Sequence, residues 1–221
     1  MAVALIVAAG RGERLGLDRP KALVTLAGKP MVEWSLRALA SVPAVSRIAL
    51  ALPRGTAYAP EQPADVVCIA GGDARSQSVR AALRAVGEGD PVIVHDAARP
   101  LASGELFEQA LAELERSGAD AVIAAAPVSD TIKEVAADGR TVSRTLDRAR
   151  LWAVQTPQVF RRQALERALG EASDELLAQA TDDAWLVERL GGTVRVVDSG
   201  PTNIKVTTPV DLRVAEALIG R

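Results

Sequence analysis

Residues 3–23 read VALIVAAGRGERLGLDRPKAL, and this stretch decides how the rest of the chain is interpreted. The apolar run at residues 3–7 is too short for a helix core and leads directly into small residues and glycines. This pattern predicts a buried strand that ends in a tight loop. Glycines leave backbone N–H groups accessible to a ligand. The basic residues around them are Arg11, Arg14, Arg19 and Lys21. The loop therefore suits a polyphosphate.

Two better-known glycine loops do not fit this spacing. The dinucleotide-binding motif GxGxxG requires its third glycine one residue earlier than Gly16. The P-loop requires a hydroxyl residue after Gly-Lys, but Gly28-Lys29 is followed by Pro30. The remaining alternative to a phosphate loop is a plain strand-to-helix turn whose arginines are solvated.

Length and composition limit the number of domains and the classes of function. A chain of 221 residues can bury one sizeable core, which predicts a single domain over residues 1–221. No apolar run approaches the roughly 20 residues that span a bilayer, and no basic leader precedes the first strand, so we expect a cytoplasmic protein without membrane contact. A net charge of −2 argues against nucleic-acid binding, and a single histidine and cysteine argue against a zinc site. Cys68 lies in an apolar run, which predicts an inert core thiol.

Apolar periodicity predicts alternating strands and helices. The predicted strands are residues 3–7, 45–52, 66–70, 92–94, 121–126, 151–160 and 193–197. The predicted helices are residues 31–41, 79–86, 103–117, 162–169 and 182–190, with a last one beginning at Pro209. This alternation is typical of an α/β fold with a mostly parallel central sheet, right-handed crossovers and helices on both faces.

A second glycine loop, GGDARSQS at residues 71–78, follows the strand at 66–70. In an open parallel sheet, ligands bind where the carboxyl ends of the strands open into loops, so this loop should flank the first. Its polar side chains suit contacts to a base or a ribose. Ser76 or Ser78 also suits the N-cap of the following helix, and both interpretations can hold together.

The strand at 92–94 ends in HDAARP, residues 95–100. Asp96, at the carboxyl end of a buried strand, is a candidate magnesium ligand or an acceptor for a substrate hydroxyl. Arg99 is expected to pair with Asp96 or to meet a second phosphate. For His95, the only histidine, we expect a structural role.

Two further segments carry functional signals. Residues 130–135 and 141–146 alternate polar and apolar residues around an Asp138-Gly139 turn, which predicts a β-hairpin. A two-stranded arm is marginal alone, so it should pack on something, such as a partner subunit. Near the C-terminus, Lys205 has apolar neighbours on a short extended segment, where its burial would be costly without an anion.

Taken together, these motifs resemble the 2-C-methyl-D-erythritol 4-phosphate cytidylyltransferase family over nearly the whole chain. They are AAGxGxR with PK (8–21), GGxxRxxSV (71–79), HDAARP (95–100), DTIK (130–133), DR (147–148), QTPQxF (155–160), TDDA (181–184) and NIKVT (203–207). The resemblance implies a Rossmann-like nucleotidyltransferase domain of the nucleotide-diphospho-sugar transferase type. It also implies a protruding β-hairpin arm at 130–148 and a homodimer that exchanges these arms.

The resemblance further implies a role for each matching residue. The catalytic residues would be Arg14, Lys21 and Lys205, with the first two on the triphosphate and Lys205 on the α-phosphate. The other contacts to CTP would come from Ala8, Ala9, Gly10, Gly12, Gly72, Asp73 and Ser78. Methylerythritol phosphate would be held by Asp96, Arg99 and Thr156, and by Thr131 and Arg148 from the other subunit's arm. Mg²⁺ would be the cofactor, with Asp96 as a possible ligand.

The implied reaction is attack of the substrate's phosphate oxygen on the α-phosphorus of CTP, which releases pyrophosphate in non-mevalonate isoprenoid biosynthesis. Such a phosphate is already ionised at neutral pH, so positioning and charge neutralisation carry the catalysis. One alternative is a ribitol 5-phosphate cytidylyltransferase; that family tends to read HDSVR where this chain has Ala97-Ala98. Another is a non-catalytic nucleotide-binding regulator of the same fold, against which Arg14, Lys21 and Lys205 argue.

Overall fold

The computed structural model of the chain describes residues 1–10, 12, 19–61 and 65–220. Strands and helices alternate through this part of the chain. The strands are β1 (Ala2–Val7), β2 (Thr25–Leu26), β3 (Lys29–Pro30), β4 (Val45–Leu52), β5 (Val66–Ala70), β6 (Val92–Asp96), β7 (Ala121–Pro127), β8 (Lys133–Val135), β9 (Val142–Thr145), β10 (Trp152–Phe160) and β11 (Val194–Asp198). The helices are α1 (Met31–Ala40), α2 (Arg75–Ala85), α3 (Gly104–Ser117), α4 (Arg162–Glu171), α5 (Asp174–Gln179), α6 (Asp183–Arg189) and α7 (Pro209–Ile219).

A seven-stranded sheet forms the centre, in the order β11-β7-β10-β6-β1-β4-β5. The pairs β1–β4, β1–β6, β4–β5 and β7–β11 are parallel. β10 alone runs the other way, antiparallel to both β6 and β7. The predicted mostly parallel α/β sheet is confirmed. On one side of β1 the chain adds β4 and β5, and on the other side it adds β6, so a crevice opens at the carboxyl ends of β1 and β6.

Helices cover both faces of this sheet because successive side chains of a buried strand point in opposite directions. In β1, Ala4 and Ile6 join the core beneath α1 and α3. Val3 and Leu5 join the opposite core beneath α2, α4 and α6. A smaller cluster packs α7 against the β2–β3 hairpin. Among the helices that the structure describes, none combines the length and apolarity needed to cross a membrane.

One sequence expectation about the β4–β5 region is wrong. Cys68 is exposed rather than buried in the core, because β5 is the last strand of the sheet and has one uncovered edge. Tyr58, in the connection between β4 and β5, is half-buried and donates its hydroxyl to the buried carboxylate of Glu33 on α1. The same Glu33 oxygen accepts the backbone N–H of Glu61 at 3.0 Å. These contacts fasten the connection after β4 to the body of the domain.

The predicted hairpin is formed by β8 and β9, and every residue of both strands is exposed. Its turn is held by the carboxylate of Asp138, which accepts the backbone N–H groups of Arg140 and Thr141 at 2.9 Å. Farther along the hairpin, the Lys133 ammonium donates to the Thr145 hydroxyl at 2.7 Å. The arm is therefore ordered by its own contacts while both of its faces remain uncovered.

The core beneath α3 gives a direct stability prediction. Phe107 is fully buried, and its ring meets the ring of His95 edge-on at a centroid distance of 5.1 Å. We expect Phe107→Ala to lower the free energy of unfolding by about 3–5 kcal/mol, because the lost contacts leave a cavity. Val210→Ala is the control, since Val210 is 56% exposed on α7. Urea denaturation measures both, and a similar loss in the two variants would contradict this account of the core.

Candidate active site

A cleft of about 760 Å³ opens at the carboxyl ends of β1, β4, β5 and β6. The loops that follow these four strands supply most of its wall, and Lys205 and Thr207 close it from the segment before α7. Most residues predicted to bind nucleotide or act in catalysis line this cleft. They are Ala8, Ala9, Gly10, Gly12, Lys21, Gly72, Asp73, Ser78 and Lys205. Asp96, predicted to bind the second substrate, also lines the cleft. Arg14, the remaining catalytic candidate, lies outside the described residues.

The first loop needs glycine at position 12. Its φ is +74°, in the left-handed region that side chains with a Cβ rarely adopt. A Cβ at Gly12 would also lie 2.9 Å from the Cβ of Lys21. The backbone N–H of Lys21 donates to the carbonyl of Gly10 at 3.4 Å, which folds the loop back on itself. This close approach places Lys21 beside the loop backbone at the cleft wall.

The second loop lies against the first, as the sequence predicts. A Cβ at Gly71 would lie 2.5 Å from the Cβ of Ala9, so the two loops meet where this residue has no side chain. The hydroxyl of Ser78 accepts the backbone N–H of Gly72 at 3.0 Å and thereby fixes the shape of the turn.

The start of α2 differs from the expectation. Its N-cap residue is Ala74, not Ser76 or Ser78. The Gln77 side chain supplies the cap, since its Oε1 accepts the backbone N–H groups of Asp73 and Ala74 at 3.1 Å. Ser78 is thereby left to hold the glycine turn instead of the helix end.

Asp96 lies between two cations at the floor of the cleft. Its Oδ1 accepts Arg75 Nε at 3.0 Å, and its Oδ2 accepts Lys205 Nζ at 2.7 Å. Burial would raise the pKa of Asp96, but Arg75 and Lys205 outweigh it and hold the pKa well below its usual value. The carboxylate is therefore ionised at neutral pH.

Lys205 itself is not buried, so the cost expected for burying it among apolar neighbours does not arise. Its side chain is 42% exposed at the cleft, and the anion it was expected to require is Asp96. A lysine on a flexible stem, with one strong contact and open space beside it, can exchange that contact for another anion.

The expected pairing of Arg99 with Asp96 is not observed. The Arg99 guanidinium is buried and donates to the carbonyl oxygen of Asn203 at 2.7 Å and to that of Val154 at 3.5 Å. Burial lowers the pKa of Arg99 from its usual value. Arg99 lies one turn beyond Asp96, where its backbone N–H donates to the Asp96 carbonyl at 2.9 Å, and it does not reach the cleft wall.

Thr156 and His95 form a buried support behind Asp96. The Thr156 hydroxyl accepts the backbone N–H of Asp96 at 3.0 Å and lies 3.1 Å from Nδ1 of His95. Burial lowers the pKa of His95 to about 4, so the ring is neutral at physiological pH. The structural role expected for His95 agrees with this position. Neither Thr156 nor Arg99 lines the described cleft wall, and Thr131 and Arg148 lie on exposed segments at the base of the arm.

Comparison with known proteins identifies the family. The family model described as 2-C-methyl-D-erythritol 4-phosphate cytidylyltransferase matches residues 2–221. The chain belongs to this family. It is similar to the enzyme of that name from Rhodococcus jostii, with 45% identity covering 98% of this chain and 94% of the relative. The relative from Frankia casuarinae is 48% identical, covering 99% of this chain and 81% of the relative.

Solved structures agree. The crystal structure of 2-C-methyl-D-erythritol 4-phosphate cytidylyltransferase from Thermus thermophilus is 34% identical, with a TM-score of 0.82 and full coverage of both chains. That of the Francisella tularensis enzyme is 32% identical, with a TM-score of 0.82 and 98% coverage of each chain. The resemblance, the nucleotidyltransferase fold and the enzyme class predicted from the sequence are therefore confirmed.

Several residues at or behind the cleft of this cytidylyltransferase were given no role from the sequence. Arg75 falls within the GGxxRxxSV motif and Asp183 within TDDA, but neither was singled out. Arg75 lines the cleft and bridges Asp96 to Asp183, two residues that are distant in sequence. Arg54 and Thr207 also line the cleft. Thr207 ends the NIKVT motif but was given no role, and nothing in the sequence context of Arg54 distinguishes it from other loop residues.

The described side chains do not form a metal site. Among residues 1–10, 12, 19–61 and 65–220, no group of three or more histidine, cysteine, aspartate or glutamate residues is arranged to hold a metal ion. Both oxygens of Asp96 are engaged by cations. Asp96 therefore does not fit the role of a magnesium ligand in this arrangement.

Proposed function

We propose that this enzyme transfers CMP from CTP to 2-C-methyl-D-erythritol 4-phosphate, with pyrophosphate as the second product. The observation that carries the proposal is the cleft itself, in which two glycine loops and the cations Lys21 and Lys205 surround one space of about 760 Å³. That volume lies within the usual range for small-molecule sites, roughly 300–1,000 Å³. Membership of the cytidylyltransferase family supports the identity of both substrates.

The nucleotide fits along the two loops. The backbone N–H groups at Gly10 and Gly12, together with Arg14 and Lys21, would bind the triphosphate. Cytosine and ribose would lie toward Ala8, Ala9, Gly72, Asp73 and Ser78. The described lining contains no aromatic residue, so the base must be recognised by hydrogen bonds and close backbone packing rather than by stacking on a ring.

The chemistry is a displacement at phosphorus. A phosphate oxygen of methylerythritol phosphate forms a bond to the α-phosphorus of CTP, and the bond from that phosphorus to the bridging oxygen of pyrophosphate breaks. The nucleophile is already anionic, so the step needs no proton acceptor. Catalysis then consists of aligning the two phosphates and neutralising charge, which is the role proposed for Lys21 and Lys205.

The second substrate is proposed to lie beside Asp96, which would accept a hydrogen bond from a hydroxyl of methylerythritol phosphate. Arg99 and Thr156 would contribute from behind Asp96, where they fix the end of β6. Magnesium remains a prediction. Because the described residues offer no metal cage, we expect Mg²⁺ to be held by the phosphate oxygens of CTP. A cytoplasmic location also remains a prediction.

We further propose a homodimer in which the arm at 130–148 reaches the partner's cleft. The arm and its base expose apolar side chains to water, which is unfavourable in a monomer. Val135 and Val142 on the arm are 47% and 54% exposed, and Trp152 and Val154 at its base are 41% and 45% exposed. Thr131 and Arg148 lie at this base. In a two-fold dimer, burial of this surface would deliver both residues to the other subunit.

Pyrophosphate release tests the proposal and its alternatives. We expect release with CTP and methylerythritol phosphate, and much slower release with ribitol 5-phosphate or with UTP. Faster turnover of ribitol 5-phosphate would assign the chain the other polyol phosphate. CTP binding without pyrophosphate release from any polyol phosphate would indicate a nucleotide-binding regulator instead.

Ser78 and Ser76 both lie on α2, so they provide a test of the second loop and its control. We expect Ser78→Ala to raise KM for CTP by about tenfold, because the Gly72 N–H loses its partner and the turn beside the base loosens. KM for the polyol phosphate should not change. Ser76→Ala is the control, since Ser76 is equally buried and its hydroxyl has no hydrogen-bond partner in the described part of the chain. Equal effects of the two variants on KM for CTP would contradict this role of Ser78.

A further inference from the structure

Arg75 joins two carboxylates that come from different parts of the chain. Its Nε donates to Asp96 at 3.0 Å, and its Nη1 donates to Asp183, the first residue of α6. The Arg75 side chain is 22% exposed, whereas Asp183 is fully buried. Burial would lower the pKa of Arg75, but Asp183 and Asp96 outweigh it and raise the pKa above its usual value. The guanidinium is a permanent cation at the cleft floor.

Arg75 and Lys205 are not equivalent partners of Asp96. Lys205 makes its ion pair through a flexible side chain that is 42% exposed to the cleft. Arg75 is tied at its other end to a carboxylate with no access to solvent. If Arg75 left its place, Asp183 would remain as an uncompensated buried charge, which is strongly unfavourable. A phosphate entering the cleft can therefore take Lys205 from Asp96 but not Arg75.

We propose that Arg75, anchored by Asp183, is a positioning residue that holds Asp96 while Lys205 moves from Asp96 to the reacting phosphate. This inference rests on the proposed function, because the phosphate that attracts Lys205 is that of the substrates. It assigns the buried Asp183 to the same arrangement, although Asp183 does not line the cleft.

Loss of Arg75 is expected to slow the reaction. Without Arg75, Asp96 would have Lys205 as its one remaining ion-pair partner among the described residues, and Lys205 would be held more tightly there. Lys205 would then neutralise less of the negative charge that develops at the α-phosphate in the transition state. An interaction that acts mainly in the transition state changes kcat more than KM.

Arg75→Gln is the first test. We expect kcat to fall by about tenfold or more, as is typical when a supporting partner of a functional group is removed. KM for CTP should stay within about threefold of wild type. The matched control is Arg80→Gln on the same helix, because Arg80 also forms an ion pair, with Asp174, but does not line the cleft. We expect the control to turn over at the wild-type rate. An unchanged kcat in Arg75→Gln would overturn the proposal, even if its thermal midpoint were lower.

Arg75→Gln leaves Asp183 buried without a cation, which can lower the stability of the fold. A second variant, changed at both residues, separates the effect on turnover from the effect on folding. Arg75→Gln with Asp183→Asn removes both charges, and we expect it to fold and to show the same loss of kcat. Arg75→Lys should restore kcat only in part, because an ammonium cannot span both carboxylates as the planar guanidinium does. Wild-type kcat in the paired variant would overturn the proposal.

A double-mutant cycle identifies the residue through which Arg75 acts. In an Asp96→Asn background Lys205 loses the carboxylate with which it pairs in the described part of the chain, so adding Arg75→Gln should cost less than about threefold in kcat. If the two losses multiply instead, Arg75 does not act through Asp96 and the proposal is wrong. All ratios refer to wild-type turnover with CTP and methylerythritol phosphate. If the proposed function is wrong, the wild-type enzyme itself will show no turnover, which distinguishes that outcome from failure of the proposal for Arg75.

Discussion

We expect Lys21→Ala and Lys205→Ala each to lower kcat by about 100-fold or more and to change KM for CTP much less. Both side chains line the cleft where the triphosphate is proposed to bind. A cation near the α-phosphate and the leaving pyrophosphate stabilises charge that develops only as the bonds change. Its removal is therefore felt mainly in the transition state.

Steady-state kinetics with varied CTP measures this effect. Lys29→Ala is the matched control, because Lys29 lies in β3, outside the cleft lining. Circular dichroism should be the same for all three variants and for wild type, since Asp96 keeps Arg75 as a partner when Lys205 is removed. Turnover within about threefold of wild type in either cleft variant would show that its proposed role is wrong.

Two inactive variants restore activity to each other if the arm serves the partner's site. Lys21→Ala damages the cleft of its own chain, and Arg148→Ala damages its arm. In a mixed dimer, the intact cleft of the Arg148→Ala chain meets the intact arm of the Lys21→Ala chain, while the other site carries both changes. Random reassortment of equal amounts makes half of the dimers mixed, each with one good site of two. Activity should therefore return to about a quarter of wild type.

The experiment unfolds and refolds the two variants together and separately, confirms mixed dimers by mass, and measures pyrophosphate release. The control mixes Lys21→Ala with Lys205→Ala. Both of these changes lie in the cleft, so every mixed dimer keeps one lesion in each site and no activity returns. If Arg148 acts on its own chain, the first mixture behaves like the control, and the shared site is refuted.

Local sequence patterns predicted the parallel part of the fold well. The apolar runs at residues 45–52 and 66–70 coincide with β4 and β5, because the strands of a parallel sheet with helices on both faces are near-continuous apolar runs. The antiparallel insertion of β10 between β6 and β7 was not predicted, since strand pairing depends on distant residues. Cys68 was misplaced for the same reason, because an apolar run does not reveal which strand lies at the edge of the sheet.

The candidate active site was also predicted only in part. The two glycine loops and Asp96 were found from the sequence, because each lies at the carboxyl end of a strand that an apolar run predicts. The partners of Asp96 were not found. Arg99, its near neighbour in sequence, was expected, but the observed cations come from 21 and 109 residues away. Arg75 and Lys205 reach Asp96 because their segments all end at the same edge of the sheet, which local sequence does not reveal.

The most direct test of the central claim follows the phosphates of CTP. The enzyme is incubated with methylerythritol phosphate and with CTP labelled at either the α- or the γ-phosphorus, and the products are separated. We predict that the α label appears in a cytidine-containing product that also holds the polyol, and that the γ label appears in pyrophosphate. A γ label on the polyol phosphate, or no transfer of the α label to it, would contradict cytidylyl transfer by this chain.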